Sequence, residues 1–123
     1  MNNDKRLEII FNHIKNGVEF ISTDNVYTVR IGKHTIIYPD QHIRGNTVIG
    51  NSCVLDVGNV IENSVVGNGV TIVKSVLRNA KIGDKTSVGP FANIHTNADV
   101  GKECRVGNFV EIKKSFIGKA SKI

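Results

Sequence analysis

The residues best suited to chemistry in this 123-residue chain are the basic ones near its C-terminal end. Residues 102–123 include six lysines and arginines against Glu103 and Glu111, so this stretch carries +4 of the formal net charge of +5. A concentration of positive charge attracts anionic ligands, of which small phosphates are one class and nucleic acids another. Nucleic acid is disfavoured, because aromatic residues do not alternate with the charges and no recognition helix or RNA-binding signature is present. The charge therefore favours a small phosphate ligand.

The histidines and cysteines do not have the spacing of a metal site, and we expect no metal. A zinc enzyme of the carbonic anhydrase type needs a close pair of histidines and a distant third. That spacing is not found among the four histidines, which are His13, His34, His42 and His95. Cys53 and Cys104 are too far apart for a zinc clip and match no redox motif. We interpret both as free, buried thiols.

An aliphatic repeat that starts at Ile31 indicates the secondary structure on which these residues lie. An aliphatic residue, here called a rung, recurs every six residues, with four steps of five residues. The seventeen rungs are Ile31, Ile37, Ile43, Ile49, Leu55, Ile61, Val66, Ile72, Leu77, Ile82, Val88, Ile94, Val100, Val106, Ile112, Ile117 and Ile123. This period is typical of a hexapeptide-repeat solenoid, an all-β parallel β-helix.

Two further regularities support the repeat. Eight of the twelve glycines directly follow a rung, and the residue four positions after a rung is usually small or β-branched. We expect the rung to point inward, the later residue to fill the narrower inner space, and glycine to adopt the corner conformation that a Cβ would obstruct. Three such sides make one coil, so the rungs predict about five coils and a prism roughly 25 Å long, at ~4.8 Å per coil.

The first eighteen residues have a different pattern. Leu7, Ile10, Phe11, Ile14 and Val18 form one apolar stripe of a helix, predicted over residues 4–16. We interpret residues 1–18 as an amphipathic cap on the β-helix of residues 19–123. A membrane-surface helix is the alternative, but the polar face carries charges of both signs. The sequence contains no signal peptide or membrane-spanning run, so a cytoplasmic protein is expected.

Three segments carry a family resemblance. The sequence VGPFANIH at residues 88–95 and RVGNFVEIKKSFIGKASKI at residues 105–123 resemble the acetyltransferase half of a bifunctional bacterial enzyme. That enzyme is N-acetylglucosamine-1-phosphate uridyltransferase joined to glucosamine-1-phosphate N-acetyltransferase. The segment TIIYPDQHIRGNTVIGNSCVL at residues 35–55 is similar to the linker side of its β-helix. The resemblance covers residues 17–123 and implies a left-handed coil.

The resemblance also implies where a ligand binds. In the family, each site lies between subunits of a trimer, and an arginine and a lysine hold the substrate phosphate. The lysine corresponds to Lys113, while the arginine position is His95, which cannot form the bidentate clamp of a guanidinium on phosphate. The family's catalytic histidine and the tyrosine after it would follow Ile123. We therefore predict Lys113 and His95 as phosphate ligands and no catalytic residue, with ordinary solvated surface charge as the alternative.

Three functions remain open at this point. The favoured one is a non-catalytic homotrimeric module that binds a sugar phosphate and needs no cofactor. The second is a minimal glucosamine-1-phosphate N-acetyltransferase, which would use acetyl-CoA. The third is a subunit that completes such a site together with another polypeptide. No nucleic-acid or membrane partner is expected for any of the three.

Overall fold

The computed structural model describes residues 29–123. The cap predicted over residues 1–18, and the lead-in up to residue 28, lie outside this range. Within it, sixteen strands of two or three residues follow one another without a helix. Their bounds are β1 Arg30–Ile31, β2 Ile36–Ile37, β3 His42–Arg44, β4 Val48–Ile49, β5 Val54–Leu55, β6 Val60–Glu62, β7 Val65–Val66, β8 Thr71–Ile72, β9 Val76–Arg78, β10 Lys81–Ile82, β11 Ser87–Val88, β12 Asn93–His95, β13 Asp99–Val100, β14 Arg105–Val106, β15 Glu111–Lys113 and β16 Phe116–Ile117.

The strands form three parallel sheets, one for each side of a triangular prism. The first contains β1-β4-β7-β10-β13-β16, the second β14-β11-β8-β5-β2 and the third β15-β12-β9-β6-β3. The rungs of the sixteen strands pair in register with rungs three steps away along the chain, as Ile49 does with Ile31 and with Val66. The chain therefore winds into about five coils, which confirms the β-helix predicted from the period. The left hand of the coil stays a prediction from the family resemblance.

The rungs form the core. Each of the first sixteen lies in a strand, and the seventeenth, Ile123, follows an isolated bridge between Lys122 and Arg105. Rungs in the middle coils, such as Leu55, Ile72 and Ile94, are fully buried. Burying one such side chain contributes about 1.5–3 kcal/mol. The stability of the fold is therefore distributed along the prism, as in other repeat proteins.

The second inner position is two residues before each rung, and it is often polar. Buried there are Thr35, Gln41, Thr47, Asn59, Ser64, Ser75 and Thr86. Except in Gln41, their oxygens accept backbone N–H groups of the next coil: the Ser75 amide donates to Asn59 Oδ1 (2.9 Å), and the Ala92 amide donates to Ser75 Oγ (3.2 Å). Gln41 instead donates from Nε2 to the carbonyl oxygen of Leu55 (3.1 Å), and its buried Oε1 has no hydrogen-bond partner among the described residues. These bonds join coils inside the prism, where an unpaired polar group would be costly. The small or β-branched rule had missed Gln41 and Asn59.

The glycines after the rungs do not serve the purpose expected from the sequence. Of those eight, Gly89 alone has a positive φ. Most of the others are required by the close approach of coils: a Cβ on Gly50 would lie 2.5 Å from the carbonyl oxygen of Gly67, whereas a Cβ on Gly118 would meet nothing within 4 Å. The left-handed conformation falls later in the corner, on non-glycine residues such as Ser52 and Lys85.

Cys53 and Cys104 are free and buried, as predicted. The thiol of Cys53 lies 3.1 Å from the carbonyl oxygen of Gly67, and that of Cys104 lies 3.0 Å from the carbonyl oxygen of Gly118. Burial raises the pKa of the Cys53 thiol above its ordinary value of 9.0, against weaker lowering by hydrogen bonds with Val70 and Thr35. Both cysteines therefore act as small inner residues of the repeat.

Candidate functional site

The third sheet carries a line of charged residues on its outer surface. Each of its five strands has three residues, and the last points outward, one position after the buried rung. These outward residues, here called the charged column, are Arg44, Glu62, Arg78, His95 and Lys113, and consecutive members pair in register. Neighbouring strands of a sheet lie ~4.8 Å apart, so the column places its charged side chains side by side.

At the N-terminal end of the charged column, the charges of Arg44 and Glu62 neutralise each other. Arg44 Nε lies 2.6 Å from Glu62 Oε2, and Glu62 is also the register neighbour of Arg78. Both partners of the ion pair are partly exposed, so it contributes little to stability. The positive charge of the column is consequently concentrated towards its C-terminal end, around Arg78 and Lys113.

His95 is held on both sides. Its Nε2 lies 2.9 Å from Glu111 Oε2, and its Nδ1 lies 2.8 Å from Thr96 Oγ1. Because a carboxylate only accepts hydrogen bonds, the first contact places a proton on Nε2. In the neutral imidazole Nδ1 is then an acceptor, and the Thr96 hydroxyl donates to it.

Lys113 lies directly beside His95, in the next coil. The two residues pair in register between β12 and β15, so the structure brings together both residues predicted from the sequence. Lys113 is exposed, and within residues 29–123 its ammonium makes no hydrogen bond or ion pair. Lys114, the next residue, lies in the corner with a φ of 50°. The Lys113 ammonium is therefore available to an external anion.

A tight turn follows His95. The Ala98 amide donates to the His95 carbonyl oxygen (3.3 Å), and the two central residues, Thr96 and Asn97, have φ values of 55° and 62°. Two positive φ values in succession define a type I′ turn. The sequence signal, which had been overlooked, is the six-residue step from Ile94 to Val100. At this corner the coils directly before and after it, 77–82 and 112–117, use five residues. Thr96 is thus the extra residue.

An open groove lies beside this turn. It has a volume of about 290 Å³, and three asparagines one coil apart, Asn63, Asn79 and Asn97, form one wall. Lys81 and Asp99 of the first sheet line the other wall. The groove has both polar and apolar lining residues and carries one charge of each sign, so it has no net preference for anions.

Two aromatic rings stack at the opposite edge of the third sheet. The ring centroids of Phe91 and Phe109 lie 5.3 Å apart with an interplanar angle of 12°, and 51% and 81% of the two residues are exposed. Both occupy the left-handed corner position. In the second of these corners the positive φ falls on Phe109 and not on the preceding Asn108. Phenylalanine in this conformation is uncommon.

Two other kinds of site are absent from the part of the chain that the structure describes. Within residues 29–123, no three histidine, cysteine, aspartate or glutamate side chains are close enough together to hold a metal ion. The same residues include no helix with the length and apolar character needed to cross a membrane.

The repeat is recognised by a family model. The bacterial transferase hexapeptide (six repeats) family matches residues 79–114, which include His95, Thr96 and Lys113.

Curated relatives are similar over most of the chain. The bifunctional protein GlmU of Clostridium beijerinckii is 47% identical over 114 residues, which are 90% of this chain and 25% of that protein. The bifunctional protein GlmU of Clostridium botulinum is 46% identical over 121 residues, and that of Listeria welshimeri is 39% identical over 115 residues. The chain therefore spans about a quarter of the length of the curated relatives it matches.

Solved structures share the fold. GDP-perosamine N-acetyl transferase from Caulobacter crescentus, a mutant solved with CoA and GDP-perosamine, superposes with a TM-score of 0.65 at 19% identity. The match covers 74% of this chain and 48% of the transferase. A second mutant of the same protein gives a TM-score of 0.67 at 17% identity, over 76% of this chain and 47% of that one.

Proposed function

Because this chain is a hexapeptide-repeat protein related in sequence to the bifunctional protein GlmU, we propose that it is a homotrimeric β-helix module that binds a sugar phosphate. An acetyltransferase-like module is the coarser description, and the repeat, the relatives and the fold all agree with it. The finer proposal concerns the ligand, the residue that holds it and the assembly.

The Lys113 ammonium is the observation that carries the proposal. It is exposed and unpaired within residues 29–123, and it stands two register positions from Arg78 with His95 between them. Two cations flanking a polar ring suit a phosphate, whose oxygens accept strong hydrogen bonds from ammonium and guanidinium groups. The sugar hydroxyls would then extend over the neighbouring polar surface.

Glu111 limits the strength of this binding. Its carboxylate is 65% exposed and bonded to His95, so it also faces an anion that approaches Lys113. A phosphate has to be bound by Lys113 on the side of His95 away from Glu111. Moderate rather than tight affinity is expected, since a like charge nearby opposes the ligand.

The trimer is proposed from the apolar side chains that the outer surface exposes. Phe91, Phe109 and Phe116 are each more than half exposed. Exposed apolar groups of this size mark contact surfaces. Sedimentation equilibrium should give three times the chain mass, and a monomer at micromolar concentration would argue against the assembly.

We also place the protein in the cytoplasm. Cys53 and Cys104 are free and buried, which suits a compartment that keeps thiols reduced. Fractionation of the native host, with the protein recovered in the cytoplasmic fraction, would test this placement.

Acetyl transfer is the second candidate function. It is favoured by the shared fold with a transferase solved in complex with CoA. It predicts release of the CoA thiol when acetyl-CoA and glucosamine 1-phosphate are mixed with the protein. Without thiol release above the protein-free rate, this candidate fails.

Calorimetric titration with glucosamine 1-phosphate tests the favoured function. Lys113→Ala should weaken binding roughly tenfold or more, because a charge-assisted hydrogen bond contributes about 1.5–3 kcal/mol. Lys81→Ala is the matched control, since Lys81 is an exposed lysine on the first sheet. Equal binding by wild type and Lys113→Ala would refute the assigned site.

A further inference from the structure

We propose that Thr96 accepts an acyl group from a small anionic acyl donor, with His95 as its base and Glu111 positioning His95. The activity concerns a different reaction from sugar-phosphate binding and does not depend on it. Its basis is the contact chain from the Glu111 carboxylate through the His95 ring to the Thr96 hydroxyl.

The distances fit a hydroxyl nucleophile with an oriented base. Thr96 Oγ1 is 2.8 Å from His95 Nδ1, and His95 Nε2 is 2.9 Å from Glu111 Oε2. A nucleophile, its base and a carboxylate that orients the base are recognised by such geometry, whatever their order in the sequence. Here the carboxylate binds Nε2 and leaves Nδ1 to take the hydroxyl proton.

The backbone at Thr96 supports a special role. Thr96 is the extra residue of its coil, and it has a φ of 55° in a type I′ turn. A β-branched residue in this region is an outlier, and such strain is concentrated at functional sites. A sharp, strained turn is also how other folds expose a nucleophilic hydroxyl. Its side chain is partly rather than fully buried, so a small donor can reach it.

The surrounding charges select the donor. Arg78 and Lys113 are the register neighbours of His95 in the coils before and after. Their cationic groups favour a donor whose leaving group is an anion, and an acyl phosphate is the simplest member of that class. The same cations would also stabilise the oxyanion that forms on the attacked carbonyl.

The step balances without a further reactant. Thr96 Oγ1 attacks the carbonyl carbon, and its proton passes to His95 Nδ1. The bond from that carbon to the phosphate oxygen breaks, and phosphate leaves with the proton returned from Nδ1. The product is an acyl ester of Thr96, which water hydrolyses when His95 acts again as base.

Acetyl phosphate is the probe, and peptide mass mapping is the readout. Wild type should gain one acetyl group on the peptide that contains Thr96, and hydroxylamine should remove it, because hydroxylamine cleaves esters and leaves lysine amides intact. Thr96→Ser should retain this labelling and Thr96→Val should lose it. His95→Gln should label about a hundredfold more slowly or worse, which is the usual cost of removing a general base.

Controls separate this chemistry from general effects. Thr71→Val alters a threonine on the second sheet and should label like wild type. Glu111→Gln should lower the limiting labelling rate and leave the half-saturating acetyl phosphate concentration no higher, whereas a structural disturbance would move both. If Thr96→Val does not fold, Thr96→Ser and His95→Gln still decide the question.

Two outcomes would overturn the proposal: acetyl groups found on lysines alone, or hydroxylamine-labile label that persists in Thr96→Val. A negative labelling result would not count against sugar-phosphate binding, because the labelling experiment contains no sugar. Glu111→Gln also separates the two, because it should weaken acylation and strengthen phosphate binding.

Discussion

Glu111 Oε2 lies 2.9 Å from His95 Nε2, so a carboxylate of β15 reaches diagonally to a ring on β12. The same strand carries Lys113, two residues along, beside the same ring. One histidine therefore contacts an anion and adjoins a cation. Glu111 and Lys113 therefore have opposite effects on an anion that approaches His95.

Glu111→Gln should strengthen the binding of glucosamine 1-phosphate. The substitution removes a negative charge next to the Lys113 ammonium and keeps the length of the side chain. Because Glu111 is largely exposed, solvent screens its effect, and we expect a gain of roughly two- to fivefold. Calorimetry at low salt would measure it, and the gain should shrink as salt is added. Unchanged or weaker binding would place the phosphate elsewhere.

Gly50→Ala should destabilise the β-helix by about 1–3 kcal/mol, the usual cost of overpacking. The new Cβ would lie 2.5 Å from Asn68 Oδ1 and 2.5 Å from the carbonyl oxygen of Gly67, so two coils would have to separate. Gly118→Ala is the matched control, because an added Cβ there meets nothing within 4 Å. Chemical denaturation of both variants measures the difference. Equal stability would mean that the coils can separate without cost.

The sequence predicted the fold well because one physical requirement recurs at every coil. A side of the prism needs one inward aliphatic residue, and Leu55, Ile72 and Ile94 meet it at the predicted positions. The corners were less predictable. The glycine at position 50 was expected to provide a backbone conformation. It is instead required by the close approach of Gly67 and Asn68, which lie in the next coil and far from Gly50 in sequence.

The candidate site was predicted only in part for the same reason. Lys113 and His95 came from a local motif, and their pairing followed from the period. The contacts of His95 with Glu111 and Thr96 depend on side-chain direction and on one extra residue in a single corner. Comparing step lengths between stacked corners would have located Thr96, because the coils before and after are one residue shorter there.

Asn59→Ala should cost about 1–3 kcal/mol, because it leaves buried polar groups without partners. Asn59 is fully buried, its Nδ2 donates to the carbonyl oxygens of Asp56 and Ile72, and its Oδ1 accepts the Ser75 amide. Asn93→Ala, at an exposed position of β12, serves as the control. Thermal and urea unfolding should separate the two variants. Similar midpoints would show that water replaces the lost hydrogen bonds.

Cys53 should make stability fall at alkaline pH. Burial raises the pKa of its thiol in the folded state, so above 9.0 the unfolded chain loses a proton that the folded chain keeps. Stability from the buried thiol is then complete below that pH and is lost as pH rises towards the folded pKa. Cys53→Ala should show a smaller loss between pH 8.5 and 10, a window chosen around the roughly 8.5–9 range of free thiols. Parallel alkaline curves would exclude Cys53 as the cause.

A crystal structure of the protein with glucosamine 1-phosphate tests the proposed function most directly. We expect the phosphate at hydrogen-bond distance from Lys113 Nζ, about 2.7–2.9 Å for a charge-assisted pair, on the side of His95 away from Glu111. The same experiment on Lys113→Ala should show no ligand there. A sugar phosphate bound in the groove lined by Asn63, Asn79 and Asn97, or on any face that leaves Lys113 in solvent, would contradict the proposed site.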